Sequence, residues 1–340
     1  MFCGMNRKLA TTAAQQGGWF DRSDVLAAGY EDSDIRVRLR SGRWVRLCQG
    51  AYAELPDDHE SRPEWERARW LHLRAAKAVY HRLGGRAVVS HQSAALLHGT
   101  EVTDLDLGRV HLTRLSGSGK SSTAVCQHAA RPPVLEPVEL AGVRLTPGPR
   151  AIVETIRYTP YPVGVSVVDE ALRIGLATPS QLTDALELFK THVGIGAAIR
   201  AVQFGDGLAE SVGESRLRVL MADLGLPAPV LQAEIHDPLG RLVGRVDFLF
   251  AEWGVIVEFD GALKYAGKGS LPLVREKRRE DALRDLGYEV VRSTWPDLTH
   301  PDELARRIRS AMGRAAARRT PMAGFVTAGG KLGASRTKSC

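Results

Sequence analysis

The sequence predicts an α+β chain built from more than one domain, and three observations carry that expectation. Its 340 residues exceed what a single hydrophobic core usually supports, and 44% hydrophobic with 25% charged residues is an ordinary globular balance. The pattern of elements changes character twice, from short helices with a hairpin, through mixed helices and strands, to a helix, three strands, a helix and a strand. The formal charge of +7 is also unevenly placed: residues 1–260 hold 29 Lys and Arg against 31 Asp and Glu, whereas residues 261–340 hold 17 against 8. A basic excess confined to the last quarter favours a polyanionic partner such as nucleic acid, with a bland solubilising tail as the alternative.

Residues 1–55 read as three short helices and a hairpin. Leu9 to Gln16 forms the first helix, Asp21 opens a second that stops at Gly29, and Asp32 caps a third that runs to Ser41 and stops at Gly42. Trp44 to Leu47 and Ala51 to Ala53 are strand-like, with Gln49-Gly50 as the turn. This is the order of a winged helix-turn-helix. The third helix and the strand after it carry Arg36, Arg38, Arg40, Arg43 and Arg46 with no acid between positions 35 and 47. Arg36 and Arg40 lie one turn apart on one side, while Ile35 and Leu39 form a separate inward stripe. A recognition helix needs that division, one face packing and the other meeting phosphates and base edges. A solvated arginine face is the competing reading, and the tri-helical order with a wing favours DNA.

Leu9 to Glu54, containing "GGWFDRSDVLAAGYEDSDIRVRLRSGRWVRLCQGAYAE", resembles the N-terminal winged helix of AbiEi-type antitoxins of type IV toxin–antitoxin systems. The segments "VVSHQSAALLHG" (Val88 to Gly99), "RVHLT" (Arg109 to Thr113) and "TPGPRAIVETIR" (Thr146 to Arg157) are similar to proteins carrying that domain. The resemblance implies double-stranded DNA as partner, repression of the protein's own operon, and a nucleotidyltransferase toxin as genetic partner. Its motifs are structural, so it implies DNA binding more firmly than an antitoxin role.

Pro56 to Pro63 reads as a polar linker. Beyond it, a helix from Glu64 to about Leu83 sets Trp65, Ala68, Leu71, Ala75, Ala78 and Val79 at core-facing spacing. Residues 64–205 are expected to form a middle α+β domain. Arg114 to Ser121 evokes a phosphate-binding loop, but Arg114 stands where the first glycine is required and a strand follows instead of a helix, so a polar hairpin loop is expected. His91 and His98 are seven apart without a carboxylate or thiol beside them, which predicts capping or packing roles and no metal site.

Residues 206–300 change pattern. Ser211 to Leu224 is helical with Glu214; Val230 to Ile235, Leu242 to Phe250 and Val255 to Phe259 are strands; Val274 to Leu286 is a charged helix; Tyr288 to Arg292 is the closing strand. Alternation puts Val246, Phe248 and Phe250 on one face and Asp247 on the other, and sets Glu258 with Asp260. If the strands are neighbours, up to three carboxylates converge, an oxygen-rich arrangement that suits Mg²⁺ (or Mn²⁺). "GESRLRVLMADLGLP", "GRVDFLF", "VEFDG" and "REKRREDALRDLGYEVVRSTW" resemble, in that order, the PD-(D/E)XK nuclease superfamily, in particular the very-short-patch-repair-like domain. The resemblance implies a restriction-endonuclease-like α/β/α fold and phosphodiester hydrolysis. It implies Asp247 and Glu258 as metal ligands and Glu214 as completing or supporting the site. Asp260 stands where the usual lysine would be, leaving Lys264 or Lys277 to supply the water-activating cation. Salt bridges from these carboxylates to Arg245, Arg278 or Arg279 are the alternative. Arg275, Lys277, Arg278 and Arg279 give the charged helix a face that would follow a DNA backbone in either case.

Residues 301–340 hold no acid beyond Glu303 and nine Lys or Arg, so they read as a basic arm, helical to about Arg319 and disordered after it. Cys3, Cys48, Cys126 and Cys340 show no disulfide or zinc spacing. No run of 18 apolar residues and no apolar leader occurs, and a cytoplasmic, DNA-acting protein is expected: a metal-dependent endonuclease delivered by a winged helix, or a non-catalytic autorepressor.

Overall fold

The computed structural model describes residues 5–101, 104–117, 119–133, 136–261, 270–318 and 325–327, with backbone alone at 270–275 and 325. These fall into two compact units, residues 1–204 and 205–340. Among the described residues, no helix is long and apolar enough to cross a membrane.

The first unit begins with α1 (Arg7–Gln15), β1 (Phe20–Asp21), α2 (Arg22–Ala27), α3 (Asp32–Arg40), β2 (Trp44–Cys48) and β3 (Ala51–Glu54). Local signals set these boundaries. The Asp21 side chain accepts from the Asp24 N–H while the Asp24 carboxylate accepts from the Asp21 N–H, a reciprocal cap on α2. Gly42, at φ +70°, ends α3 in a conformation that side chains avoid and turns the chain into β2. The strands pair antiparallel in the order β1-β3-β2. Leu9, Phe20, Val25, Ile35, Trp44 and Tyr52 close a small core, with Phe20 edge-on to Trp44 at 4.7 Å.

Pro56 to Pro63 is not a free linker: a 3₁₀ turn at His59–Ser61 buries His59 edge-on against Trp70, 5.5 Å away. In α4 (Glu64–Arg82), Ala78 packs against Trp19 and Ala51 of the hairpin region, while Ala76, Val79 and Tyr80 enter the core of a second sheet. The buried stripe therefore differs from the expected one: Trp65 is exposed, and Ala76, Ala78, Val79 and Tyr80 are buried. The helix serves two cores at once, so its inward arc is wider than a single stripe.

That second sheet runs β6-β5-β4-β8-β7, formed by β4 (Ala87–Val89), β5 (Val110–Arg114), β6 (Val125–Ala129), β7 (Val138–Leu140) and β8 (Val143–Leu145). β4–β8 and β5–β6 are parallel; β4–β5 and β7–β8 are antiparallel. α5 (His91–Leu97), α6 (Gly148–Ile156), α7 (Tyr161–Arg173), α8 (Pro179–Leu188) and α9 (Ile195–Phe204) complete the unit.

The second unit contains α10 (Val212–Asp223), β9 (Val230–His236), β10 (Leu242–Phe250), β11 (Val255–Phe259), α11 (Ser270–Asp285), β12 (Glu289–Ser293), α12 (Pro301–Ala317) and β13 (Phe325–Thr327). The sheet order is β12-β11-β10-β9-β13, with only β11–β12 parallel. One core joins Leu217 and Met221 of α10 with Phe248, Phe250, Val257, Leu304 and Ile308; another joins Leu283 of α11 with Ala233, Val246, Leu249 and Ile256. Simple alternation fails in β10, because Val246 lies in the second core and Phe248 in the first. The paired strand breaks at the same level: Ala233, opposite Val246, lies in the second core and Leu231, opposite Phe248, in the first. Gln232 between them has φ +49°, a costly value for a non-glycine residue, and it reverses the facing there.

The basic tail also differs from expectation. α12 buries Leu304, Ile308 and Ala311 in the sheet core, and residues 325–327 form an edge strand on β9; the rest of 319–340 lies outside the described residues. Replacing fully buried Ile308 by Ala is expected to remove about 2–5 kcal/mol from this unit's stability. Urea unfolding of the full chain, followed by tryptophan fluorescence, measures it; an unchanged midpoint would return α12 to the status of an appended arm.

Candidate nucleic-acid interface and carboxylate cluster

On α3, Ile35 is buried while Arg36 and Arg40 are exposed, and Val37 between them is 55% exposed. Arg43 and Arg46, before and within β2, are also exposed. Arg38 leaves this face. Its guanidinium lies 4.9 Å from the Tyr30 ring centre and 5.2 Å from that of Trp44, so it covers the domain's aromatic core. The arginine face thus consists of Arg36, Arg40, Arg43 and Arg46 around an exposed aliphatic side chain, chemistry suited to phosphates and base edges.

The second unit gathers most of the carboxylates singled out by sequence. Ser211 caps α10 by accepting from the Glu214 N–H. Glu214 in turn accepts from Ser211 Oγ (2.8 Å), the Glu210 N–H (2.9 Å) and Gln232 Nε2 (3.0 Å). Burial, followed by the nearby Asp247 charge, raises its pKa above the usual carboxylate value. Gly213 makes room for this arrangement, since a Cβ there would fall 2.0 Å from the Phe259 ring. Asp247 Oδ2 accepts from the Phe259 N–H at 2.8 Å. Glu258 is 7% exposed; its pKa is raised by burial, opposed by Arg279 and reinforced by Asp247.

Protein cations already serve the far side of this cluster. Arg279 Nη2 donates to Glu258 Oε1 at 2.8 Å and to Glu276 at 2.7 Å. Arg292, register partner of Glu258 on the parallel strand, approaches Glu258 at 3.8 Å and Asp260 at 3.7 Å while bonding Glu276 and Glu280 at 2.9 Å each. The cavity they share is about 180 Å³. Mg²⁺ needs several oxygen ligands whose charge is not already neutralised. Here Arg279 and Arg292 engage Glu258 and Arg292 also approaches Asp260, so Glu258, one of the two expected ligands, does not fit a resident Mg²⁺.

Of the cations considered from sequence, Lys277 and Arg278 are exposed on α11 and do not line that cavity, and Arg245 pairs with Glu210 at 2.8 Å. Lys264 and the Arg275 side chain lie outside the described residues. Sequence reasoning missed Gln232, which holds Glu214, and Arg292, whose role depends on the β11–β12 register. It also separated histidines that meet in space: His91 joins His111 and His128 in a cluster, while His98 bonds the Thr146 carbonyl at 2.9 Å.

The N-terminal segment is a small region of three helices and a three-stranded sheet that presents an exposed arginine face. Residues 7–54 match the family described as transcriptional regulator, AbiEi antitoxin, and such a domain implies DNA binding. Over 283 residues the chain is 29% identical to uncharacterized proteins from two strains of Mycobacterium tuberculosis, CDC 1551 / Oshkosh and H37Rv. Each alignment covers 83% of this chain and 97% of the relative.

The carboxylate cluster carries a measurable cost. Glu214 and Glu258 have raised pKa values, so each favours the native state while protonated and opposes it as pH rises through its folded pKa. Asp247→Asn removes the like charge facing both and retains an oxygen for the Phe259 N–H. A higher melting temperature at pH 7 is expected, with the gain shrinking as pH falls toward 4. A lower melting temperature at pH 7 would contradict the repulsion.

Proposed function

We propose that the protein is a DNA-binding transcriptional regulator of the AbiEi antitoxin kind. In this reading α3 enters the major groove with Arg36 and Arg40, Arg43 and Arg46 hold flanking phosphates from the wing, and the protein represses its own promoter. The carrying observation is the exposed arginine face on a segment matching that family model. A nucleotidyltransferase toxin encoded nearby would be the genetic partner. We read the C-terminal unit as a non-catalytic DNA- or partner-binding module, because Arg279 and Arg292 engage Glu258, one of the two carboxylates expected to hold metal.

A second reading, a Mg²⁺- or Mn²⁺-dependent endonuclease acting through Asp247 and Glu258, draws on the proximity of Glu214, Asp247 and Glu258. Incubating supercoiled plasmid with the protein and either cation separates the two. The regulator reading expects every DNA form to stay intact, and nicking abolished by Asp247→Ala would establish the nuclease.

For the regulator itself, gel-shift titration against the gene's own upstream region at several salt concentrations is the direct test. Replacing Arg36 and Arg40 by Ala should abolish preference for that region and leave the weaker, salt-dependent phosphate binding in place. Unchanged binding by the double variant would remove α3 from the interface.

A further inference from the structure

His91, His111 and His128 lie far apart in sequence and meet where the start of α5 faces β5 and β6. Each offers a ring nitrogen, and the three ligand atoms lie within 4.8 Å of one another. His111 Nδ1 and His128 Nε2 are 3.0 Å apart, close to the roughly 3.3 Å separation of two nitrogens bound tetrahedrally at 2.0–2.1 Å from one ion. We propose that these three histidines form a binding site for one divalent transition-metal ion of the Zn²⁺ class, with solvent completing a tetrahedral shell.

The surroundings orient the ligands. His91 Nδ1 lies 3.0 Å from Ser90 Oγ and 3.7 Å from Glu154 Oε2. A proton on Nδ1 is thus drawn toward the hydroxyl and the carboxylate, which leaves the Nε2 lone pair for the ion. The Ser90 hydroxyl is the outer partner that sets tautomer and ring direction, with the Glu154 carboxylate beyond hydrogen-bond distance but favourable in charge. Among the described residues, no hydrogen bond engages His91 Nε2, although the side chain is only 7% exposed. Glu154 is itself fixed by Arg150 Nε at 2.8 Å and by Thr146 Oγ1 and the His91 N–H at 3.3 Å each. His91 also holds φ +53°, an uncommon backbone state for a histidine, which turns its side chain to the strands from the first residue of α5.

The other two ligands have room to adjust. His128 stacks on His91 with ring centres 3.8 Å apart and planes 16° from parallel, so bringing its lone pair to a shared ion requires its ring to turn. Both His111 and His128 are only partly buried. The Gln92 amide sits 2.9 Å from His111 Nε2. Gln92 Nε2 also donates to the Asp106 carbonyl at 3.1 Å; ion binding exchanges that bond for one in which the amide oxygen accepts the His111 Nε2–H, freeing Nδ1 as the ligand with no net proton released. Three imidazoles with no protein oxygen select Zn²⁺, Co²⁺ or Ni²⁺ over Mg²⁺ or Ca²⁺.

The test uses the full chain, stripped with chelator and titrated with Co²⁺ and Zn²⁺. We expect one Co²⁺ per chain with the intense visible bands of four-coordinate cobalt, displacement of cobalt by Zn²⁺, and a melting temperature raised by Zn²⁺. His128→Asn and His111→Asn should each weaken binding by more than about tenfold, the lower bound for losing even an outer partner of a metal site. Circular dichroism shows that each variant is folded; because His91→Gln alters a buried position, the half-buried His128→Asn is the deciding variant. Absence of Co²⁺ bands at micromolar protein, or equal affinity in folded His128→Asn, would overturn the site.

Discussion

A buried carboxylate without a cation is among the costliest things a fold can contain, and arginines meet that demand at several buried glutamates of both units, whereas Glu214 is met by neutral donors and has its pKa raised. Glu154, 2% exposed, is held by Arg150 within the same helix. Glu258 is held by Arg279, and Glu289, 4% exposed at the start of β12, by Arg314 and Arg318 of the C-terminal helix region. These arginines come from different elements than their partners in the second unit, so the ion pairs also fix where α11 and α12 lie on the sheet. Removing one partner would strand the other, which makes the pairs determinants of register more than sources of net stability.

The same demand reinterprets the basic charge of the last quarter. Arg279, Arg284, Arg292, Arg307, Arg314 and Arg318 all bond acidic side chains, so much of the local excess serves the fold. The N-terminal segment, nearly neutral by count, behaves oppositely: its acids cap helices, as Asp21 and Asp24 do, or pair with another arginine, as Asp32, one turn before Arg36, does with Arg22. Charge balance over a segment therefore says little about which arginines meet a ligand. Exposure beside a packed helix face says more.

Legibility in the sequence followed the range of the interactions. The three helices and hairpin of residues 7–54 were readable because each boundary is set within four residues, by Asp21 with Asp24 or by Gly42 after α3. The element order of the C-terminal unit was readable from apolar runs. The reversal of facing at Gln232 was not, because it depends on one residue adopting φ +49° against the usual strand preference. The partner of Glu258 was equally hidden: β11 and β12 are parallel and separated by a helix, so no local pattern declares that Arg292 falls opposite Glu258.

The histidine cluster shows the limit most clearly and bears on how the first unit works. Positions 91, 111 and 128 carry no ligand spacing; the parallel β5–β6 register places His128 opposite Thr113, two residues along from His111 and on the same strand face, and α5 delivers His91 to both. Fixing those three elements together stiffens the sheet whose core includes Ala76, Val79 and Tyr80 of α4. Ala78 of that helix packs on Trp19 and Ala51 of the N-terminal segment. Occupancy of the histidines and the setting of the arginine face thus share one continuous packed path, in which the helix common to both cores is the element that would carry any coupling between them.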